Sequence, residues 1–94
     1  MPFVNAMLLT VASAEKAWGD WDEVYQALRE SLERTPMVER DLALPLEWAG
    51  DLAHQAGEHD RAFQAWTLAK AQWVSLDDPT AVERVDQQLN PEES

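Results

Sequence analysis

Three side chains on one predicted helix have the residue types that acid–base or hydrolytic chemistry requires. Glu47, Asp51 and His54 follow one another at spacings of four and three residues, which place them on one helix face. A polar trio of this kind is more often a solvated helix face than a catalytic site. The sequence contains no glycine-rich phosphate loop and no nucleophile elbow. We therefore expect no enzymatic activity.

A second cluster, which includes His54, has residue types that bind metal ions. His54 and His59 could supply nitrogen ligands, and Glu58 and Asp60 could supply oxygen ligands. Zinc needs three or four such ligands that converge at about 2 Å. His59, however, takes the place of an aromatic ring in the repeat described below, and His54 lies on a face expected to be exposed. We expect no bound metal and no cofactor.

Composition narrows the possible partners. The 94 residues include 18 acids and seven lysines or arginines, which gives a net charge of −11. This charge excludes non-specific binding to nucleic acid or to an anionic membrane, since both require a cationic surface. The absence of cysteine excludes a disulfide scaffold and a thiolate zinc site.

The same acidity allows an alternative function, in which the protein mimics nucleic acid and occupies a basic cleft on another protein. The acids are spread over most of the chain, and solubility explains that distribution more simply.

The first residues form an apolar segment that ends in Ala12-Ser13-Ala14, a sequence resembling a signal-peptide cleavage site. A secretory signal also needs a positively charged leader, and the first basic residue is Lys16. No apolar run approaches the 18 or so residues of a membrane span. We expect a cytoplasmic protein without membrane association.

Apolar residues recur at steps of three and four along the whole chain, which predicts an all-α fold of five helices. We expect Gly19 to end the first helix, Gly57 to end the third and Pro45 to lie in the first turn of the third. Residues 90–94 are expected to form a flexible tail. The five apolar stripes, in chain order, are Val4, Met7, Leu8, Val11, Ala14 and Trp18; Trp21, Val24, Tyr25, Leu28 and Leu32; Leu42, Leu46, Ala49, Ala53 and Ala56; Ala62, Trp66, Ala69, Trp73 and Leu76; and Val82, Val85 and Leu89.

Two glycine-containing turns, at residues 19–24 and 57–62, repeat at a distance of 38 residues. Each combines a glycine, an acid and a ring, and a repeat of this length is typical of stacked helical hairpins. The residues around these turns partly match a bulky-x2-Leu-Gly-x2-aromatic, Ala-x3-aromatic pattern. The matching positions are Leu46, Ala49, Gly50, Ala53, Ala62, Trp66 and Ala69 in the second copy, and Leu8, Val11, Ala12, Glu15, Val24, Leu28 and Pro36 in the first.

On these residues the chain resembles the tetratricopeptide repeat family. The resemblance implies a single domain over residues 1–89, with antiparallel hairpins over about 5–36 and 43–76 and a capping helix over about 79–89. The period of 38 exceeds the family's 34 residues, and only two repeats are present where about three usually form a stable stack. The fifth helix is expected to cap the stack, and the alternative is that a second copy of the chain completes the core. We expect a homo-oligomer, most simply a dimer.

In the resembled family, the first helix of each hairpin lines a groove that binds partner peptides. Acidic side chains in such a groove would repel a carboxylate tail and favour a basic or apolar segment. The alternative is an ordinary solvated acidic face. The positions implied by the resemblance are Leu9, Ser13, Lys16 and Ala17 in the first copy, and Glu47, Asp51, His54 and Gln55 in the second.

The tryptophans indicate a second candidate surface. Trp48 lies off the main stripe of its helix, and Trp73 lies near the end of the stack, where the next repeat would be. Exposed tryptophans are enriched at protein interfaces, so both are candidate oligomer contacts. The alternative is that the fifth helix covers Trp73. Together these features predict a non-catalytic protein–protein interaction module.

Overall fold

The chain folds into five α-helices that follow one another through short connections. The computed structural model describes residues 2–90, and within that range it contains no strand. The all-α prediction is therefore confirmed. Of the predicted tail only Asn90 is described, and residues 91–94 lie outside the described range. The helices are α1 (Pro2–Glu15), α2 (Trp18–Arg34), α3 (Arg40–Gln55), α4 (His59–Ser75) and α5 (Pro79–Leu89).

The third helix is the centre of the molecule, because α3 packs against both α1 and α4. α2 packs against α1, and α5 packs against α4. None of the helices within residues 2–90 is long and apolar enough to cross a membrane. The core includes Leu9, Trp21, Leu28, Leu42, Leu46, Trp66, Trp73 and Val85, with alanines filling the close contacts between helices.

Three of the connections use the same tight turn. Lys16, Gly57 and Asp77 each have a positive φ, of 58°, 83° and 56°. In each turn the next residue donates its backbone N–H to a carbonyl five positions earlier, the first being Ala17 to Ala12 at 2.9 Å. This pattern is the Schellman motif, in which a residue in the left-handed conformation ends the helix.

This geometry changes the predicted register of the repeat. Gly57 ends α3 as expected, but α1 ends at Glu15, before Gly19, and Gly19 lies in the first turn of α2. The residue equivalent to Gly57 is therefore Lys16. The prediction was wrong because it assumed that a glycine must take the left-handed position, which other residues can also adopt at an energetic cost.

The third helix also begins earlier than expected. It starts at Arg40, so Pro45 lies beyond the first turn, inside the helix. A proline there cannot donate a backbone hydrogen bond to the preceding turn. The hydroxyl of Thr10 on α1 donates to the Pro45 carbonyl at 2.8 Å, which ties this part of α3 to α1.

The longest connection, between α2 and α3, is held by one buried side chain of α4. The amide of Gln72 donates to the Met37 carbonyl at 2.8 Å and accepts from the backbone N–H of Glu39 at 3.0 Å. This contact satisfies both ends of a buried amide. It also fixes the residue from which α3 begins.

The apolar stripes of α2 to α5 face the interior as predicted, but the stripe of α1 does not. Val4, Met7, Leu8 and Val11 are 46–62% exposed. The face of α1 that packs inward is formed mainly by small side chains, which allow close helix contact. Its buried residues are Ala6, Leu9, Ala12 and Ser13.

Two hydroxyl groups fix this rotation of α1. Thr10 donates to the Pro45 carbonyl, and Ser13 donates to the Ala49 carbonyl at 3.1 Å. Both acceptors lie on α3, one helical turn apart. Because these bonds and the small residues direct one face of α1 toward α3, the larger aliphatic side chains point outward.

Candidate functional site

Three of the six polar residues predicted to line a groove instead accept hydrogen bonds from buried tryptophans. In the first hairpin, Trp21 donates its indole N–H to the Ser13 hydroxyl oxygen at 2.8 Å. Ser13 donates in turn to the Ala49 carbonyl. A buried indole N–H needs such an acceptor, so the role of Ser13 in this structure is internal.

The second hairpin repeats this arrangement with carboxylates. Trp66 donates to Asp51 Oδ1 at 3.1 Å, and Trp73 donates to Glu47 Oε1 at 3.0 Å. Burial raises the pKa of Asp51 above its ordinary value, and the hydrogen bond from Trp66 opposes that rise. Both acids therefore have partners within the fold.

Glu47 is the most fully engaged of these acids. Besides the bond from Trp73, it accepts two bonds from the Arg84 guanidinium on α5, at 2.7 and 2.8 Å. These hydrogen bonds raise the pKa of Arg84. Glu47 as a whole is only 8% exposed. A buried carboxylate of this kind requires such paired donors, and here they join α3, α4 and α5.

The predicted groove is therefore not lined as expected. Leu9, Ser13 and Glu47 are buried, so almost none of their surface is available to a partner. The reason is that helix packing turns these three positions toward the neighbouring helices. Asp51 is half-buried, whereas Lys16, His54 and Gln55 are exposed. Lys16 and Gln55 line one shallow cleft together with Leu52 and Ala56.

The residues considered for catalysis or metal binding are not brought together as a group, although the two histidines are neighbours. His54 Nδ1 lies 3.2 Å from His59 Nδ1, and the His54 ring lies 5.4 Å from that of Trp66. Glu47 and Asp51 are directed to the tryptophans described above. Among residues 2–90 there is no group of three or more histidine, cysteine or acidic residues that could hold a metal ion.

The two tryptophans predicted to form an aromatic surface lie in different environments. Trp48 is 52% exposed, but Trp73 is only 1% exposed. The guanidinium groups of Arg40 and Arg84 lie 5.6 and 5.8 Å from the Trp73 ring centroid. Trp73 is thus a core residue, and the alternative in which α5 contributes to its burial agrees with the position of Arg84.

A group of exposed apolar side chains lies on α1. Val4, Met7, Leu8 and Val11 follow one another at steps of three, one and three residues, so they share one side of the helix. We call these four residues the α1 face. Single exposed apolar side chains are ordinary, whereas larger contiguous apolar patches are typical of interaction sites.

The apolar spacing correctly predicted that these residues share one helix face, but the prediction placed that face in the core. One signal could have corrected it, because Ala6, Leu9 and Ala12 make the opposite side of α1 apolar as well. A helix that is apolar all round is either fully buried or in contact with a partner.

A cleft between α1 and α2 adjoins this surface. It has a volume of about 330 Å³ and is bordered by three acids, Glu15, Asp20 and Glu23, which we call the acidic rim. The remaining lining residues are Leu8, Val11, Ala12, Ala17 and Val24. The site thus combines an apolar helix face with a negatively charged edge.

Comparison with known proteins adds no further constraint to this geometry. No protein-family model, no curated protein and no solved structure matches the chain. The likeness to tetratricopeptide repeats stays a prediction from the sequence.

Proposed function

We propose that the chain is a non-catalytic protein–protein interaction module that binds its partner through the α1 face. The observation that carries the proposal is the exposure of Val4, Met7, Leu8 and Val11, between 46 and 62% each. Contact between this apolar surface and water is unfavourable, and a bound protein partner would exclude the water from it. The proposal includes a cytoplasmic location.

The gain from covering this surface is large enough to matter. Full burial of an aliphatic side chain contributes about 1.5–3 kcal/mol, so burying the exposed half contributes about 1 kcal/mol. Four such residues contribute about 4 kcal/mol, which corresponds to roughly a thousandfold in an equilibrium constant.

The predicted catalytic trio supports the non-catalytic part of the proposal. Glu47 accepts hydrogen bonds from Trp73 and Arg84, and Asp51 accepts one from Trp66. Each carboxylate has a structural explanation that requires no substrate.

The test is site-specific photo-crosslinking in the cells that make the protein. A benzophenone amino acid replaces Met7 in the α1 face, and in a control protein it replaces Gln87, an exposed residue of α5. We expect a discrete protein adduct from position 7 only, weakened when Val11→Gln is added. No adduct from position 7, or the same adducts from both positions, would contradict the proposal.

Self-association is one form of this function and has its own measurement. Light scattering on a sizing column across a dilution series gives the solution mass. A dimer that dissociates when Met7→Gln is introduced would identify a second copy as the partner.

A further inference from the structure

We infer that the partner of the α1 face is an amphipathic helix whose apolar side chains are flanked by lysines or arginines. This inference rests on the proposed function and specifies its ligand. It follows from the shape of the apolar surface and from the charges beside it.

The shape of the surface suits a helix. The α1 face runs along one helix, and the cleft between α1 and α2 lies beside it, lined by Leu8, Val11 and Val24. A partner helix laid along this line would place side chains at positions i, i+3, i+4 and i+7 against it. Helix pairs in proteins pack in this way, with the ridges of one in the grooves of the other.

The acidic rim sets the charge of the partner. Glu15, Asp20 and Glu23 are exposed, and α1 contains no basic residue. In the part of the chain that the structure describes, no ion pair involves any of these three acids. The ion pairs present join Arg40 to Asp78, Arg61 to Asp22 and Glu58, Lys70 to Asp86, and Arg84 to Glu47.

Because none of these three acids pairs with a cation among the described residues, a partner with flanking lysines or arginines would complement the rim. Such charges raise the association rate and fix the orientation of the partner. A second copy fits this requirement less well, since its own α1 brings no base. It would also bring a further net charge of −11.

The test uses two fluorescent synthetic helical peptides. Both carry a stripe of leucines, flanked by lysines in the first peptide and by glutamates in the second. We expect fluorescence anisotropy to show that the native protein binds the lysine peptide at least tenfold more tightly. Equal binding of both peptides, or no binding of the lysine peptide, would overturn the inference.

Charge reversal distinguishes an effect of the acidic rim on peptide binding from an effect of the protein's overall negative charge. The double variant Glu15→Lys and Glu23→Lys should bind the lysine peptide about tenfold more weakly and gain affinity for the glutamate peptide. Its control is Glu33→Lys with Glu83→Lys, which makes the same change in net charge at exposed positions of α2 and α5. An equal loss in both double variants would overturn the inference.

An apolar variant tests the position of the peptide. Met7→Gln with Val11→Gln leaves the charge unchanged and should weaken lysine-peptide binding at least tenfold, with the helical circular dichroism retained. Unchanged binding would place the peptide elsewhere and overturn the inference. A peptide that binds the α1 face without preference for lysine would contradict only the inference, whereas failure of the crosslinking would contradict the proposed function.

Discussion

In each hairpin of this protein the two helices are connected by the same kind of turn, but the hairpins place their large apolar residues differently. The second hairpin, α3 and α4, buries Leu42, Leu46, Trp66 and Trp73. In the first hairpin, α1 exposes its larger aliphatic side chains and buries mostly small ones. α1 also packs against two helices, α2 and α3, but it turns mostly small side chains toward the interior. Side-chain size alone therefore does not decide which side of a helix is covered.

The hairpins also differ in how they satisfy buried indole groups. Trp21 in the first hairpin uses a neutral hydroxyl, that of Ser13. Trp66 and Trp73 in the second use carboxylates, Asp51 and Glu47. The second hairpin therefore carries charge in its interior and needs Arg84 to balance it, whereas this contact in the first is independent of pH.

The largest expected change in the free energy of unfolding comes from truncating one of two neighbouring leucines on α1, of which one is buried and the other exposed. Leu9 is fully buried and Leu8 is 46% exposed. Leu9→Ala should lower the free energy of unfolding by about 3 kcal/mol, because it leaves a cavity. Leu8→Ala should cost less than about 1 kcal/mol. Urea unfolding followed by circular dichroism measures both, and a larger cost for Leu8 would reverse the assigned rotation of α1.

The glycines give a second matched pair. A Cβ on Gly50 would overlap the Trp66 ring, whereas one on Gly19 would meet nothing within 4 Å. Gly50→Ala should destabilise the protein by about 2–3 kcal/mol through overpacking. Gly19→Ala should stabilise α2 by about 0.5 kcal/mol, because alanine loses less backbone entropy than glycine. Thermal unfolding of both variants tests the pair, and equal effects would contradict the close contact of α3 with α4.

Replacing the hydrogen-bond acceptors of Trp73 and Trp21 compares how much a charged and a neutral acceptor contribute to stability. Glu47→Ala should cost about 2 kcal/mol, since it leaves the Trp73 N–H buried without a partner. Ser13→Ala should cost about 1 kcal/mol, because Trp21 loses a neutral acceptor. Glu47→Gln keeps an acceptor for Trp73 and is the control. Denaturant unfolding measures all three, and a Glu47→Ala variant as stable as Glu47→Gln would show that this indole contact contributes little.

The pH dependence should give the smallest effects, with opposite signs at two acids. Burial raises the pKa of Asp51 above 3.8, so its folded form holds a proton more readily than its unfolded form. Its contribution to stability is greatest below 3.8 and decreases as the pH rises through the folded-state pKa. The hydrogen bonds from Arg61 lower the pKa of Asp22, so its contribution is present above 3.8 and is lost in acid.

Two asparagine variants test these signs. The stability of Asp51→Asn, measured as its difference from the native protein, should be higher at neutral pH than below pH 3.8. The same difference for Asp22→Asn should be lower at neutral pH than below pH 3.8. Each difference should be below about 1 kcal/mol. Unfolding at several pH values measures them, and slopes of the same sign would contradict the assignment.

The sequence predicted much of this fold because most of its helices have one clear apolar side. The stripes through Leu42 in α3, Trp66 in α4 and Val85 in α5 face the core, and Gly57 ends α3 as expected. The errors fall where a local rule competes with packing. Lys16 occupies the left-handed position that was assigned to Gly19, and Glu47 is a buried acid that periodicity alone assigns to the surface.

The candidate site was less predictable than the fold. The sequence indicated that Val4, Met7, Leu8 and Val11 share one helix face, but it could not indicate which face of α1 would meet α3. The preference for burying large side chains favoured the wrong side. Hydrogen bonds from Thr10 and Ser13 to carbonyls of another helix do not appear in a hydrophobic pattern.

The spacing of apolar residues was enough to predict the helical class, the number of helices and the apolar faces of four of them. These follow from local spacing, since residues three and four apart share a helix face wherever the helix lies. Tertiary structure alone decided that Ser13 and Glu47 serve Trp21 and Trp73, and that α1 exposes aliphatic side chains beside the acidic rim. Those outcomes depend on which helices meet, and contacts between residues far apart in the chain decide that.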